Sequence, residues 1–93
     1  MVMPEDTVQV KVRFITIMQK YSGRKREIEM NLSPEPEQAI DRIIGRFHIP
    51  WTDNLEKFTR IFINKELSHL FVKSGKQLKD GDTIMFIPMS CGG

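Results

Sequence analysis

Between Thr7 and Ile17 apolar and polar side chains take turns, with Val8, Val10, Val12 and Phe14 on one side and Gln9, Lys11 and Arg13 on the other. A period of two residues belongs to a strand with one buried face. After a turn at Tyr21-Ser22-Gly23-Arg24-Lys25-Arg26, the alternation resumes at Ile28, Met30 and Leu32, so residues 7–32 read as a hairpin. The period then changes. Ala39, Ile40, Ile43, Ile44 and Phe47 recur at helical spacing and share one face. A residue before proline resists helical angles, so the helix is expected to begin at Pro36, with Glu37 in its first turn. Ile49-Pro50 is expected to end it. Gly45 lies off the apolar face and should cost about 1 kcal/mol against alanine.

Trp51–Phe58 has no clear period and reads as a loop holding one helical turn, begun by Thr52 or Asp53. Arg60–Ile63 is a third strand, closed by a turn at Asn64-Lys65-Glu66, and His69–Val72 reads as a short fourth. Ser74-Gly75-Lys76 turns the chain, and Thr83–Pro88 forms the last strand. One sheet crossed by one helix is a two-layer α+β domain. The first and last strands are expected to lie side by side and parallel in its centre, because a helix-containing connection joins them.

Composition narrows the possibilities. A hydrophobic share of 40% and a charged share of 28% suit a single soluble globular domain. A net charge of +2 gives no ground for nucleic acid or a membrane surface as partner. No apolar run approaches the roughly 18 residues of a membrane span. Residues 1–6 read as a frayed, flexible end without an export signal. The single cysteine leaves no internal disulfide and no zinc site, which predicts a reducing, cytoplasmic setting. His48 and His69 lack a ligand constellation, and no nucleophile triad, phosphate loop or dinucleotide fingerprint is present. Arg24-Lys25-Arg26 offers contacts to phosphate or an acidic partner, but with a net charge of +2 it reads first as a solvated turn.

The remaining candidate chemistry is at the end. Residues 89–93 read as a flexible tail finishing in Cys91-Gly92-Gly93, and glycines bring only backbone and a terminal carboxylate. Leu78-Lys79-Asp80-Gly81-Asp82 leads into the last strand, Pro88 sits where that strand gives way, and Gly92-Gly93 follow. On this element order, the spacing resembles the MoaD and ThiS branch of the ubiquitin-like, β-grasp sulfur carriers over residues 7–93. Met89 stands where MoaD proteins usually have a second proline, and Cys91 where a small residue is usual. The extra length around residues 48–58 favours a MoaD-like over a shorter ThiS-like protein.

The resemblance implies a β-grasp domain over residues 7–88, a mixed sheet of four or five strands packed on one main helix. It implies a carrier or co-substrate, not an enzyme, acting as the small subunit of a molybdopterin-synthase-type complex. A MoeB/ThiF-like activating enzyme would use MgATP to convert the Gly93 carboxylate to an acyl-adenylate. A persulfide donor would then turn it into a thiocarboxylate, whose sulfur passes to a synthase subunit in molybdopterin or, next, thiazole and thiamine biosynthesis. No cofactor is implied on the chain itself. A terminal carboxyl with a pKa of about 3.5 is ionised at neutral pH and needs no base. Five extended residues from Met89 to Gly93 reach roughly 17 Å.

Three further expectations concern particular residues. If Ile84 and Phe86 face the helix, then Met85 and Ile87 lie on the open face of the sheet with Phe62, and Met89 joins them as a docking patch for the activating enzyme. The competing expectation is that residues 48–58 fold over that face through Trp51. Cys91, with an unperturbed thiol pKa of about 8.5, is mostly protonated and reads first as an incidental small residue, second as a site of mixed-disulfide exchange. The function has two rivals. One is a protein modifier joined through Gly93 to lysines of target proteins; the other is a β-grasp binding module indifferent to loss of residues 90–93.

Overall fold

The structure, a computed structural model, describes residues 7–89. In chain order it runs β1 (Val8–Phe14), a 3-10 helix (Thr16–Ser22), β2 (Glu27–Leu32), α1 (Pro36–Arg46), α2 (Asp53–Lys57), β3 (Thr59–Ile63), β4 (Glu66–Leu67), α3 (Ser68–Lys73) and β5 (Thr83–Pro88). The five strands form one mixed sheet in the order β2-β1-β5-β3-β4. β1 and β5 pair in parallel at its centre, as the pattern predicts, and every other pairing is antiparallel.

The alternation in β1 does what a period of two requires. Val10, Val12 and Phe14 are fully buried while Gln9 and Lys11 are exposed. From β5, Ile84 and Phe86 enter the same core, and α1 lays Ala39 and Ile43 across them, with Ile40, Ile44 and Phe47 packed at its margins. Phe86 stacks on Phe14 at 5.4 Å, and Phe47 meets Phe14 edge-on at 5.3 Å. Such aromatic pairs add about 1 kcal/mol beyond the area they bury. Pro36 is the first helical residue, as expected, and is itself buried.

Three expectations need correction, and a fourth, the helical turn begun by Thr52, holds. β1 ends at Phe14, not Ile17, because the chain closes into a 3-10 helix that swings Met18 into the core at 1% exposure. Ser22 holds that turn by donating its hydroxyl toward the carbonyls of Gln19 and Lys25, and Gly23 (φ 70°) ends it in the left-handed region. The main helix stops at Arg46, with Phe47 as its cap; His48 turns to φ 54° before the proline is reached. His69–Val72 is helix α3 rather than a strand, and the fourth strand is the two-residue Glu66–Leu67 just before it. Within α3 only Phe71 is buried, so the run meets the core along a helical stripe. The helical turn in the 48–58 stretch is α2, and Thr52 caps it by accepting a bond from the Leu55 amide at 3.2 Å.

Candidate functional site

The Asp80-Gly81-Asp82 turn is what aims β5. Asp80 Oδ1 accepts from the Gln9 backbone N–H at 2.8 Å, the Gly81 N–H donates to the Gln9 backbone carbonyl at 2.8 Å, and the Lys11 backbone N–H donates to the Asp82 carbonyl at 2.9 Å. Gly81 has φ 90°, a conformation that an L side chain rarely adopts. Asp82 also accepts from the Lys79 amide and the Asn64 side chain, and Asn64 Oδ1 accepts from the Thr83 amide. The turn thus clasps the start of β5 to β1 on one side and to the β3–β4 hairpin on the other. Leu78, buried to 2%, anchors the approach.

At the other end of β5, Pro88 lies opposite Thr59, and the Met89 amide donates to the Phe58 carbonyl. Met89 is 43% exposed. Beyond it, Cys91, Gly92 and Gly93 lie outside the described residues, as does the 1–6 segment expected to be flexible.

The strand register places the other candidates together. Leu67, Phe62, Met85, Arg13 and Glu27 are successive cross-strand partners and therefore make one row on the face opposite α1. Ile87 and Arg60 are partners in the next row toward the end of β5, and Lys11 and Thr83 in the row on the other side. Phe62, Met85 and Ile87 are half-buried. The face has an apolar half around β5 and β3 and a charged half on β1 and β2, where Lys11 and Arg13 lie opposite Glu29 and Glu27 and Arg13 Nε is 3.7 Å from Glu27. Trp51 meets Phe86 at 6.3 Å on the core side. It therefore does not cover the open face, contrary to the competing expectation.

Leu67, Arg60 and Phe58 were not singled out by sequence reasoning. Leu67 could have been found: a two-residue turn at Asn64-Lys65 puts it opposite Phe62. Phe58, 44% exposed, lies in the stretch without a period. Among the described residues no group of three metal-ligating side chains occurs, and no helix is long and apolar enough to cross a membrane.

No family model matches the sequence, and no curated protein sequence matches it significantly. Solved structures do resemble it. The small archaeal modifier protein 1 of Methanosarcina acetivorans has a TM-score of 0.69 at 18% identity, covering 94% of this chain and 98% of its own. A chain of the BexX/CysO complex of Amycolatopsis orientalis has a TM-score of 0.62 at 25% identity, with 90% and 99% covered. A putative molybdopterin converting factor subunit 1 from Pyrococcus furiosus gives 0.61 at 19%, with 89% and 99% covered. With its mixed five-stranded sheet spanned by α1 and its likeness to these solved structures, the chain has the ubiquitin-like β-grasp fold.

Proposed function

We propose that this protein is a sulfur carrier whose terminal residue is Gly93, loaded there as a thiocarboxylate by an ATP-dependent activating enzyme. The observation that carries the reading is where β5 delivers the chain. A central strand, clasped at its start by Asp80-Gly81-Asp82, runs out at Pro88 and Met89 and leads directly into Ser90-Cys91-Gly92-Gly93. The likeness to proteins named as modifiers, CysO and a molybdopterin converting factor supports the same reading.

In this mechanism a carboxylate oxygen of Gly93 attacks the α-phosphorus of ATP and pyrophosphate leaves. A persulfide sulfur on a partner protein then attacks the activated carbonyl carbon, and AMP leaves with the bonding pair. The product is an acyl disulfide. A second thiol of that partner attacks the partner's own sulfur of this S–S bond, which frees the thiocarboxylate and closes a disulfide on the partner. The chain contributes the acyl group and the surface that docks it. Phe62, Met85, Ile87 and Met89 form that surface, with Arg60 and Arg13 beside them to choose an acidic rim on the activating enzyme. Cys91 is given no covalent role. Molybdopterin biosynthesis is the favoured destination of the sulfur and thiazole formation the next.

The test is intact mass spectrometry after incubation with MgATP, a sulfur donor and the activating enzyme from the same organism. The expected result is a sulfur-for-oxygen mass increase located at Gly93, which must be the terminal residue. Loading that persists after Gly93 is deleted, or after an alanine is appended, would remove the mechanism. The resemblance to small archaeal modifier proteins also favours a second reading, conjugation through Gly93 to lysines. Higher-mass species that resist reductant and carry Gly93-lysine bonds would establish it.

A further inference from the structure

β4 is too short to cover β3. Thr59 pairs with Pro88 and Ile63 with Ile84 along the β5 side, whereas on the other side only Phe62 and Ile63 have partners, Leu67 and Glu66. The phase of the ladder follows from its ends, where the Asn64 amide donates to Thr83 and the Met89 amide donates to Phe58. Backbone bonding alternates along an antiparallel strand. Arg60 and Phe62 therefore turn their amides and carbonyls toward β5, and Thr59, itself only 5% exposed, and Ile61 turn theirs away from β5, to the edge that β4 leaves uncovered. No backbone bond outside the ladder reaches Thr59 or Ile61 among the described residues.

This edge opens into a groove of about 390 Å³, with Trp51 and Glu56 on one wall and Leu67, Ser68 and His69 on the other. Trp51, Glu56 and Ile61 also line an adjoining hollow of about 370 Å³ floored by Ile40, Ile44 and Val72. Around the pair stand three carboxylates, Glu37, Asp41 and Glu56, against Arg60, Lys73 and His69, and Arg60 belongs to the open face of β3. None of the three forms an ion pair among the described residues. A chain of net charge +2 thus carries an acidic, apolar groove beside unpaired strand backbone.

We propose that this groove binds an extended segment of a partner protein, which adds to the sheet as a strand beside Thr59–Ile61. Side chains of that strand opposite Thr59 and Ile61 point toward the helices, where large apolar groups rest on Trp51 and Ile61. Basic residues at the segment's ends on that same side meet Glu37, Asp41 and Glu56, so charge complementarity selects a basic segment. The side chain opposite Arg60 emerges on the open face and is acidic. A second copy of the chain is disfavoured: two antiparallel β3 edges would set Arg60 against Arg60 in a close, non-hydrogen-bonded pair. The surface is independent of any chemistry at Gly93.

The probe is a fluorescein-labelled heptapeptide, lysine-threonine-leucine-glutamate-leucine-threonine-lysine, which reads the same in either strand direction. In the free protein the amides of Thr59 and Ile61 should exchange with solvent much faster than those of Arg60 and Phe62. Adding the peptide should give saturable anisotropy and slow both exchanges. N-methylation of the leucine nitrogens should abolish binding, and the double variant Asp41→Lys/Glu56→Lys should weaken it about tenfold at low salt. Both substituted positions are exposed, and an unchanged thermal midpoint would show the variant folded. The proposal fails if Thr59 and Ile61 are already protected in monomeric protein, if no saturable binding occurs, or if N-methylation has no effect. It fails also if sedimentation finds a dimer whose formation protects these amides, since a second copy would then occupy the edge.

Discussion

Thr59 shows how much one atom can be asked to reveal. It is buried to 5% exposure at the first position of β3, and its Oγ1 has no hydrogen-bond partner among the described residues. A buried hydroxyl stripped of water without a substitute costs roughly 1–3 kcal/mol. Thr59→Val keeps the shape and removes the orphan. It should therefore raise stability by about 1 kcal/mol, seen as a higher urea midpoint at unchanged slope. A lower midpoint would mean that the hydroxyl is satisfied in solution. Gly81 predicts the opposite sign. A Cβ there would meet nothing within 4 Å, yet φ is 90°, so Gly81→Ala should destabilise by about 1–2 kcal/mol through backbone strain alone. Because that turn clasps β5 to β1, the amides of Gln9 and Lys11 should lose exchange protection in the same variant.

Elements were legible where the period ran long enough to be decided by one buried surface. The alternation Val10, Val12, Phe14 and the stripe Ala39, Ile43 belong to strands and a helix that meet a single core, so local pattern and tertiary burial agree. Gly45 gives a clean measure of α1. It is exposed, a Cβ there would touch nothing within 4 Å, and Gly45→Ala should add about 0.5–1 kcal/mol, read from the thermal midpoint. His69-Leu70-Phe71-Val72 was not legible, since a run of four is too short to separate a strand from a helix by period. Phe71 turned inward decides it, and that depends on where β4 leaves the chain. For the same reason the open-face row through Phe62 and Met85 could be read from register, whereas the groove on β3 could not. The groove exists because β4 stops after two residues and α2 and α3 stand apart beside it.

At the scale of the molecule, the division of labour between domain and tail becomes an experiment. Among the described residues every buried apolar side chain of the core falls between Val10 and Phe86, so that span supplies the hydrophobic stabilisation seen there. The last described tie is the bond from the Met89 amide to the Phe58 carbonyl, joining the end of β5 to the end of α2. A protein cut after Met89 keeps both, and its thermal midpoint should match that of the full chain. A protein cut after Ile87 loses the Thr59–Pro88 pairing and the Met89 bond. It should be less stable by about 1–2 kcal/mol, with fraying at Thr59 and Phe58. Function should divide differently. Both truncations should abolish sulfur loading by the activating enzyme, because neither presents Gly93. The shorter cut alone, after Met89, should still compete with the full chain for that enzyme, because Phe62, Met85, Ile87 and Met89 remain in place. If the Met89 truncation no longer competes, recognition depends on the tail and the open face is not the docking surface. If it is fully functional in the cell, terminal chemistry is absent and the domain acts as a binding module.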